Sequence, residues 1–426
     1  MIRTVYVENQ IASHPRTAEV LARLPDAQQI PCERYQEIFN PKNQSFRLQK
    51  QQPALIIAHK SGKQILSAPA GYGIGGEYNY YFSHMLNCIY DCRYCFLQGM
   101  YPSANYVLFI NYEDFFEAID QTLSALPKKE AWFFSGYDCD SLALEPITGF
   151  VAQLLRFVES RPRAFVELRT KSTQIRSLIA ATPNPNVVAA FTLSPAETAS
   201  RFELKAPALT KRLQAMHRLA HDGWLLGLRF DPLIFDDSFE ERYRNLFRQV
   251  FSILPINAIH SVTLGVFRMP KRFFQNLIKL YPDEPLFAGP FYNQSSMVSY
   301  RDKLEQRLIK FCTKELSLYI EPERVFSCET KIREYSSQIT HNTEIDNGII
   351  GNSTYSEHNY YYYRGTGAVD FRAKNIESWD SLEKNSIDLY ASLKSLYLQN
   401  RKQKIANSAS AVKTQDDSDW EEIDTN

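Results

Sequence analysis

Between residues 78 and 281 the chain repeats one pattern six times, a short apolar or aromatic run followed by an amphipathic stretch with apolar residues three and four apart. The runs are Tyr78 to Leu86, Ala131 to Phe134, Ala164 to Leu168, Val187 to Leu193, Trp224 to Phe230 and Ile259 to Val266. The amphipathic stretches are Tyr112 to Leu126, Thr148 to Glu159, Thr173 to Ala181, Pro207 to Asp222, Phe239 to Leu254 and Lys271 to Tyr281. In the first stretch Phe115, Phe116, Ile119 and Leu123 mark one face, and Pro207 suits the first turn of the fourth. Strands that alternate with helices imply parallel pairing, since each parallel connection needs a crossover. The expected class is α/β, a parallel sheet with helices outside it, spanning residues 71–285.

The flanks read differently. Residues 1–70 form an N-terminal extension with a helix predicted over Ala18 to Leu24 and a strand at Leu55 to Ala58, while Cys32 stands alone after Pro31. The run Gly71-Tyr72-Gly73-Ile74-Gly75-Gly76 lacks the Gly-Lys-Ser/Thr ending of a phosphate loop and reads as a turn into a strand. Residues 286–330 are a helical or irregular segment, with one helix expected over Leu304 to Leu316. Residues 331–426 form a polar tail that includes Tyr360 to Tyr363 and is expected to be largely disordered at its end. Lys+Arg and Asp+Glu both number 48, so no net field announces nucleic acid or a membrane. The first ten residues lack the apolar run of a signal peptide, and no segment approaches the ~20 apolar residues of a membrane span. An odd count of seven cysteines argues against a secreted disulfide framework, so a soluble cytoplasmic protein is expected.

Three of those cysteines fall within Cys88-Ile89-Tyr90-Asp91-Cys92-Arg93-Tyr94-Cys95, a C-x₃-C-x₂-C spacing on the loop after the first strand. Soft thiolates converging from one loop suit an iron–sulfur cluster or zinc. A structural zinc site needs a fourth ligand, for which His84 is the local candidate. An electron-transfer cluster expects a fourth cysteine, and none lies nearby. A cubane held by three cysteines leaves one iron open to a cofactor.

With Tyr94 as the aromatic residue before the last cysteine, the motif resembles the hallmark of the radical S-adenosylmethionine superfamily. The six strand–helix units match the partial (β/α)6 TIM-type barrel of that superfamily, whose active sites lie at the C-terminal rim. The resemblance narrows at Cys95-Phe96-Leu97-Gln98, Tyr106 to Tyr112, Asp138-Cys139-Asp140-Ser141-Leu142-Ala143 and Arg169-Thr170-Lys171-Ser172. It continues through Thr192-Leu193-Ser194-Pro195 and Gly227-Leu228-Arg229-Phe230-Asp231-Pro232. Over roughly residues 75–285 the chain is similar to the spore photoproduct lyase family.

That similarity implies a [4Fe-4S] cluster on Cys88, Cys92 and Cys95, with S-adenosylmethionine chelated to the open iron and cleaved to a 5′-deoxyadenosyl radical. It implies Tyr94 near the adenine or the cluster, Lys171 at the cofactor carboxylate, and Thr192 and Ser194 as hydrogen-bond partners. Asp140 would orient the same group, and Asp231 would reach substrate or cofactor. The family reaction is the lyase cleavage of a thymine–thymine photoproduct in DNA, with a protein thiol returning a hydrogen atom. DNA and a reductant such as flavodoxin or ferredoxin are the implied partners. The chain departs from the family twice, because Phe96 stands where the relay tyrosine is expected and Tyr137 aligns with the donor cysteine. Cys139, two residues later, is the candidate catalytic thiol, either a displaced donor or a small residue beside the cofactor. The basic run around Arg268, Lys271 and Arg272 is compatible with phosphate contacts. The competing reading is a non-enzymatic metal- or cluster-binding module that uses the same scaffold to hold nucleic acid.

Overall fold

The computed structural model describes residues 2–69, 72–126, 128–294 and 296–328, together with the backbone of 366–368. Gly71, Tyr360 to Tyr363 and the low-complexity end of the polar tail lie outside the described residues.

All six predicted units are present. The strands are β1 (Tyr78–Phe82), β2 (Ala131–Ser135), β3 (Ala164–Thr170), β4 (Val187–Thr192), β5 (Leu225–Leu233) and β6 (Ile259–Val266). They pair in sequence order, each parallel to the next, and curl into a partial barrel. A seventh parallel strand, β7 (Val325–Cys328), extends the sheet beside β6, with Val262 opposite Val325. It is a four-residue run on the brink of the polar tail, and the strand–helix period does not announce it. The helices are α1 (Tyr112–Ala125), α2 (Phe150–Glu159), α3 (Arg176–Ile179), α4 (Leu209–His221), α5 (Phe239–Ile253), α6 (Lys271–Leu280) and α7 (Asp302–Leu316). No described helix is long and apolar enough to cross a membrane.

The strands are buried on both faces because helices cover one side and the barrel core fills the other. Every residue of β2 and of β4 is buried. On α1, Tyr112, Phe115, Ile119 and Leu123 are buried, a spacing of three and four that faces the sheet. Phe116, one step off that stripe, is half-buried and stacks on Phe157 of α2 at 4.6 Å.

Local chemistry explains where the elements depart from their predicted bounds. The third helix shortens to four residues because side chains engage the backbone before it: Thr170 Oγ1 accepts from Ser172 N–H, and Ser172 Oγ from Gln174 N–H. Upstream of α2 the chain breaks at Gly149, and the Glu145 carboxylate accepts from the backbone N–H groups of Val151 and Ala152 at 3.0 Å. The run from Tyr78 to Leu86 also splits, since Met85–Leu86 joins a second sheet.

That second sheet contains the N-terminal residues. Its order is Gln28–Cys32, Thr4–Glu8, Leu55–Ala58, Tyr106–Phe109 and Met85–Leu86, parallel except for the last pair. The strand Leu55–Ala58 lies where expected, and the first helix runs Pro15–Ala22, begun by a proline and capped by His14 Nδ1. Its fourth strand comes from between the cysteine loop and α1, so the N-terminal sheet grips the segment that follows the cysteines.

Inside the barrel, Glu167 of β3 and Arg229 of β5 form a fully buried pair, with Nη2 to Oε2 at 2.9 Å and Nε to Oε1 at 3.2 Å. Ser261 of β6 accepts from the same guanidinium through its hydroxyl at 2.9 Å and its carbonyl at 3.1 Å. The space for this layer exists because β5 carries Gly227, where an added Cβ would lie 2.5 Å from an Arg229 nitrogen. Burial raises the Glu167 carboxyl, but Arg229 and Arg169 outweigh it and leave it below the ordinary range.

His84 is also buried, its ring lying flat on Phe150 with centroids 4.1 Å apart. Burial first, and the Lys60 charge second, pull its pKa from 6.5 to about 3. The unfolded chain therefore binds a proton that the folded chain refuses, so stability is complete above pH 6.5 and drains as pH falls toward 3. A His84→Phe variant keeps the stacked ring and removes that proton. Urea denaturation at pH 6.5 and pH 5 should show the wild type losing about 1.5 kcal/mol more than the variant between the two. Equal losses would contradict a neutral buried imidazole.

Candidate active site

A cavity opens at the C-terminal ends of the barrel strands, walled by the ends of β3, β4 and β5 and by the segments that follow β1, β2 and β6. The loop after β1 supplies Cys88, Cys92, Tyr94 and Cys95, and the turn after β2 supplies Gly136, Tyr137, Cys139 and Asp140. Arg169, Thr170 and Lys171 come from the end of β3, Thr192 from β4, Asp231 from β5, and Phe267 with Arg268 from just beyond β6. Of the residues singled out from sequence, Ser194, His84, Lys271 and Arg272 are not on the wall.

The cysteine loop has little regular structure, and its backbone is held from outside. Asn87 turns the chain into it at φ 67°, a conformation asparagine tolerates, and its side-chain amide donates to the carbonyls of Ser103 and Asn105. Asp91–Cys92 pairs antiparallel with Glu203–Leu204, and Arg93 N–H donates to Phe202 O at 2.7 Å. Gln98 donates from Nε2 to the Cys92 carbonyl and accepts from the Tyr281 hydroxyl. Lys50 donates to the carbonyls of Cys88 at 2.8 Å and Tyr90 at 3.0 Å.

The three thiols share the cavity wall. Burial pushes Cys88 up to about 12 and raises Cys92 and Cys95 as well, so bare thiolates are disfavoured there without a cation to meet them. Among the described residues no three histidine, cysteine or acidic side chains stand close enough to share one metal ion. A cubane takes one thiolate per iron and so does not require them to converge on one point. His84, the candidate fourth ligand for zinc, has its ring packed on Phe150 in the core.

Behind the loop lies a pair that sequence reasoning did not find. Glu203 and Arg212 are buried and ion-paired, and the Glu203 carboxylate also accepts from the Tyr94 hydroxyl and from Ser194 Oγ at 2.9 Å. Ser194 thus supports the wall from behind instead of facing the cavity. Arg212 Nη1 reaches the Thr192 carbonyl at 3.0 Å, tying the end of β4 to the same group. The legible signal would have been an arginine at a buried position of α4 with a glutamate nine residues before it.

Lys171 Nζ stands 5.4 Å from the Tyr94 ring centroid. Burial works to lower its pKa, but the neighbouring Cys92 and Glu203 outweigh it and hold the ammonium above the ordinary lysine range. Asp140 is occupied: Oδ1 accepts from Leu142 N–H at 3.0 Å, Ala143 N–H at 2.9 Å and Thr170 Oγ1 at 2.6 Å, and Oδ2 accepts from Lys171 N–H at 2.7 Å. It fixes the strand end that presents Lys171. Asp138 is bound by Ser83 Oγ at 2.6 Å. Cys139 therefore sits between two anchored aspartates, with Gly136 at φ 85° making the turn from β2. Asp231 lies between two guanidiniums, with Oδ2 3.9 Å from Arg169 and 3.8 Å from Arg268. Phe96 faces Tyr137 with ring centroids 6.1 Å apart, and Tyr137 packs on Tyr81 at 4.4 Å.

Comparison with known proteins gives the chain's relatives. A family model described as spore photoproduct lyase matches residues 74–286. The chain is 23% identical over 202 residues to spore photoproduct lyase of Bacillus subtilis (strain 168), a match covering 47% of this chain and 59% of that protein. It is 23% identical over 164 residues to spore photoproduct lyase of Geobacillus sp. (strain Y412MC61), covering 38% and 48%. The chain thus spans about half the length of the curated relatives it matches. A solved spore photoproduct lyase mutant with bound AdoMet and dinucleoside spore photoproduct has a TM-score of 0.66 at 16% identity, covering 75% of this chain and 96% of that one. A second, complexed with dinucleoside spore photoproduct, has a TM-score of 0.64 at 17% identity, with the same coverage. At such identities the likeness is one of fold.

Removing the Glu203 charge should show how much the wall depends on it. Glu203→Gln leaves the Arg212 guanidinium buried without its counter-ion and should cost about 3–5 kcal/mol in chemical denaturation. Ser194→Ala deletes one neutral donor to the same carboxylate and should cost about 1–2 kcal/mol. Equal effects would mean that Arg212 finds another partner.

Proposed function

The chain belongs to the spore photoproduct lyase family, and on that premise we propose that it is a radical S-adenosylmethionine enzyme acting on a photoproduct-type lesion in DNA. The observation that carries this reading is the shared cavity wall of Cys88, Cys92, Cys95, Lys171 and Cys139 at the barrel rim. When bound, a [4Fe-4S] cluster with S-adenosylmethionine supplies a 5′-deoxyadenosyl radical by one-electron cleavage of the sulfonium.

The chain's own residues do the rest. Cys88, Cys92 and Cys95 hold the cluster as thiolates, from a loop whose carbonyls are pinned. Lys171, charged and backed by Tyr94, binds the cofactor carboxylate, and Asp140 keeps the Lys171 backbone in place. Thr192 offers a hydroxyl at the next strand end. Asp231, held between Arg169 and Arg268, orients hydroxyl or amide groups of cofactor or substrate. Tyr72 and Phe267 give the wall apolar surface that limits water.

Return of a hydrogen atom needs a group with a weak X–H bond near the substrate. Phe96 has none, and its ring closes the wall against Tyr137 instead. Cys139 is the one thiol on the cavity wall besides the three ligands among the described residues. Burial raises its pKa well above the ordinary thiol value, which keeps the S–H that a hydrogen donor must have. We therefore assign the donor role to Cys139, with electrons entering from a reductant of the flavodoxin or ferredoxin kind. The six described cysteines are all free, in keeping with a cytoplasmic setting.

The test is anaerobic. Protein with a reconstituted, reduced cluster should convert S-adenosylmethionine to 5′-deoxyadenosine, and Cys92→Ala should abolish this. With an oligonucleotide that carries the thymine photoproduct, wild type should restore the two thymines, whereas Cys139→Ala should cleave the cofactor but accumulate unrepaired or trapped lesion. Cofactor cleavage with no repair by wild type would leave the radical chemistry standing and remove the assigned substrate. Protein that binds zinc and no iron would overturn the enzyme reading in favour of a binding module.

A further inference from the structure

Lys50 belongs to the N-terminal region, outside residues 74–286, and neither the strand–helix period nor the cysteine motif points to it. Its side chain nevertheless ends in the cysteine loop, 38 residues on from its backbone, at the Cys88 carbonyl. The residue is only 7% exposed. Its ammonium donates to the carbonyls of Cys88 and Tyr90, which flank the first turn of the loop. The same residue is held in turn, because Lys205 Nζ donates to the Lys50 carbonyl at 2.9 Å, and Lys205 follows the strand that pairs with Cys92. Gln49, its neighbour, accepts from Ala104 N–H at 2.9 Å on the far side of the loop.

We propose that Lys50 is a positioning residue of the active site, fixing the turn that presents Cys88 and placing one positive charge against the cluster to set its reduction potential. The second half of this inference rests on the cluster reading above, and the first half does not. A buried ammonium on two loop carbonyls limits the backbone motions that would expose the Cys88 sulfur. A positive charge close to a cluster favours its reduced form, because net charge is one of the levers on such potentials. The N-terminal region is then part of the catalytic apparatus, not an appendage to it.

The experiment uses the full chain and the variants Lys50→Met, Lys50→Arg and Lys205→Met. In cluster-free protein, iodoacetamide labelling of Cys88, followed by peptide mass, should run about tenfold faster in Lys50→Met than in wild type, as expected from losing a charged hydrogen bond. Lys50→Arg, which keeps charge and donors, should restore most of the protection. In cluster-loaded protein, the one-electron midpoint of Lys50→Met should fall by about 59 mV, the equivalent of a tenfold change, and Lys50→Arg should stay near wild type. A purely packing role would leave the midpoint unmoved once the cluster is in place, and that result would overturn the electrostatic half. Unchanged labelling in a folded Lys50→Met would overturn the positioning half. If Lys50→Met does not fold, Lys205→Met replaces it, since it removes only the bond to the Lys50 carbonyl; labelling about threefold faster supports the brace, and no change sinks it. Wild type that takes up no cluster would count against the cluster reading alone, because the labelling result still decides the positioning.

Discussion

The loop that carries Cys88, Cys92 and Cys95 has only the two-residue strand Asp91–Cys92 as regular structure, so most of its peptide groups must find partners elsewhere. That demand organises the surroundings of the site. The segment at 202–204 lends two residues of strand and a carbonyl, Gln98 reaches back to the Cys92 carbonyl, and Lys50 arrives from the N-terminal region to take two more. These partners come from three separate parts of the sequence, and each is itself anchored: Gln98 by Tyr281, Lys50 by Lys205, Glu203 by Arg212. The loop is rigid because its supports are supported.

Charge follows the same logic. Burying a carboxylate or a guanidinium alone is costly, and both buried pairs here are matched and hydrogen-bonded. Glu167 and Arg229 fill the barrel interior in a layer made possible by a glycine on β5, while Glu203 and Arg212 stand behind the cysteine loop. With Asp140 engaged by four donors, Cys92 and Glu203 outweigh burial and the Arg212 charge to keep the Lys171 ammonium charged, and Lys171 faces the cavity with it. The site's polarity is thus a property of pairings one step removed from its wall.

Much of this was legible in the residues. The six strand–helix units could be read because their strands are buried on both faces and their helices keep one apolar stripe, as Phe115, Ile119 and Leu123 do on α1. The three cysteines could be placed on one loop by their spacing, and all three line the cavity. What escaped depends on contacts between distant residues. Val325–Cys328 is a strand by virtue of β6 beside it, not of its own pattern. Lys50 and Arg212 look like ordinary surface cations, and only the fold brings one to Cys88 and the other to Glu203. Ser194 sits at the right strand end but turns toward a carboxylate behind the wall, a choice of direction that no local pattern encodes. Asp140, expected at the cofactor, stands on the cavity wall and also ties the ends of two strands together, a tie that no local pattern announces.

The N-terminal sheet carries a consequence for how the molecule is made. Three of its parallel strands are complete by Ala58, but the fourth, Tyr106–Phe109, is translated only after the first barrel strand and all three cysteines. On the ribosome the leading sheet must wait with an open edge beside Leu55–Ala58 until that strand emerges, and an unpaired edge of apolar residues is a template for wrong partners. When Tyr106–Phe109 docks, it closes the edge and draws the ends of the cysteine loop together in one event. Completion of the first sheet and closure of the loop from Cys88 to Cys95 are therefore coupled through the strand Tyr106–Phe109.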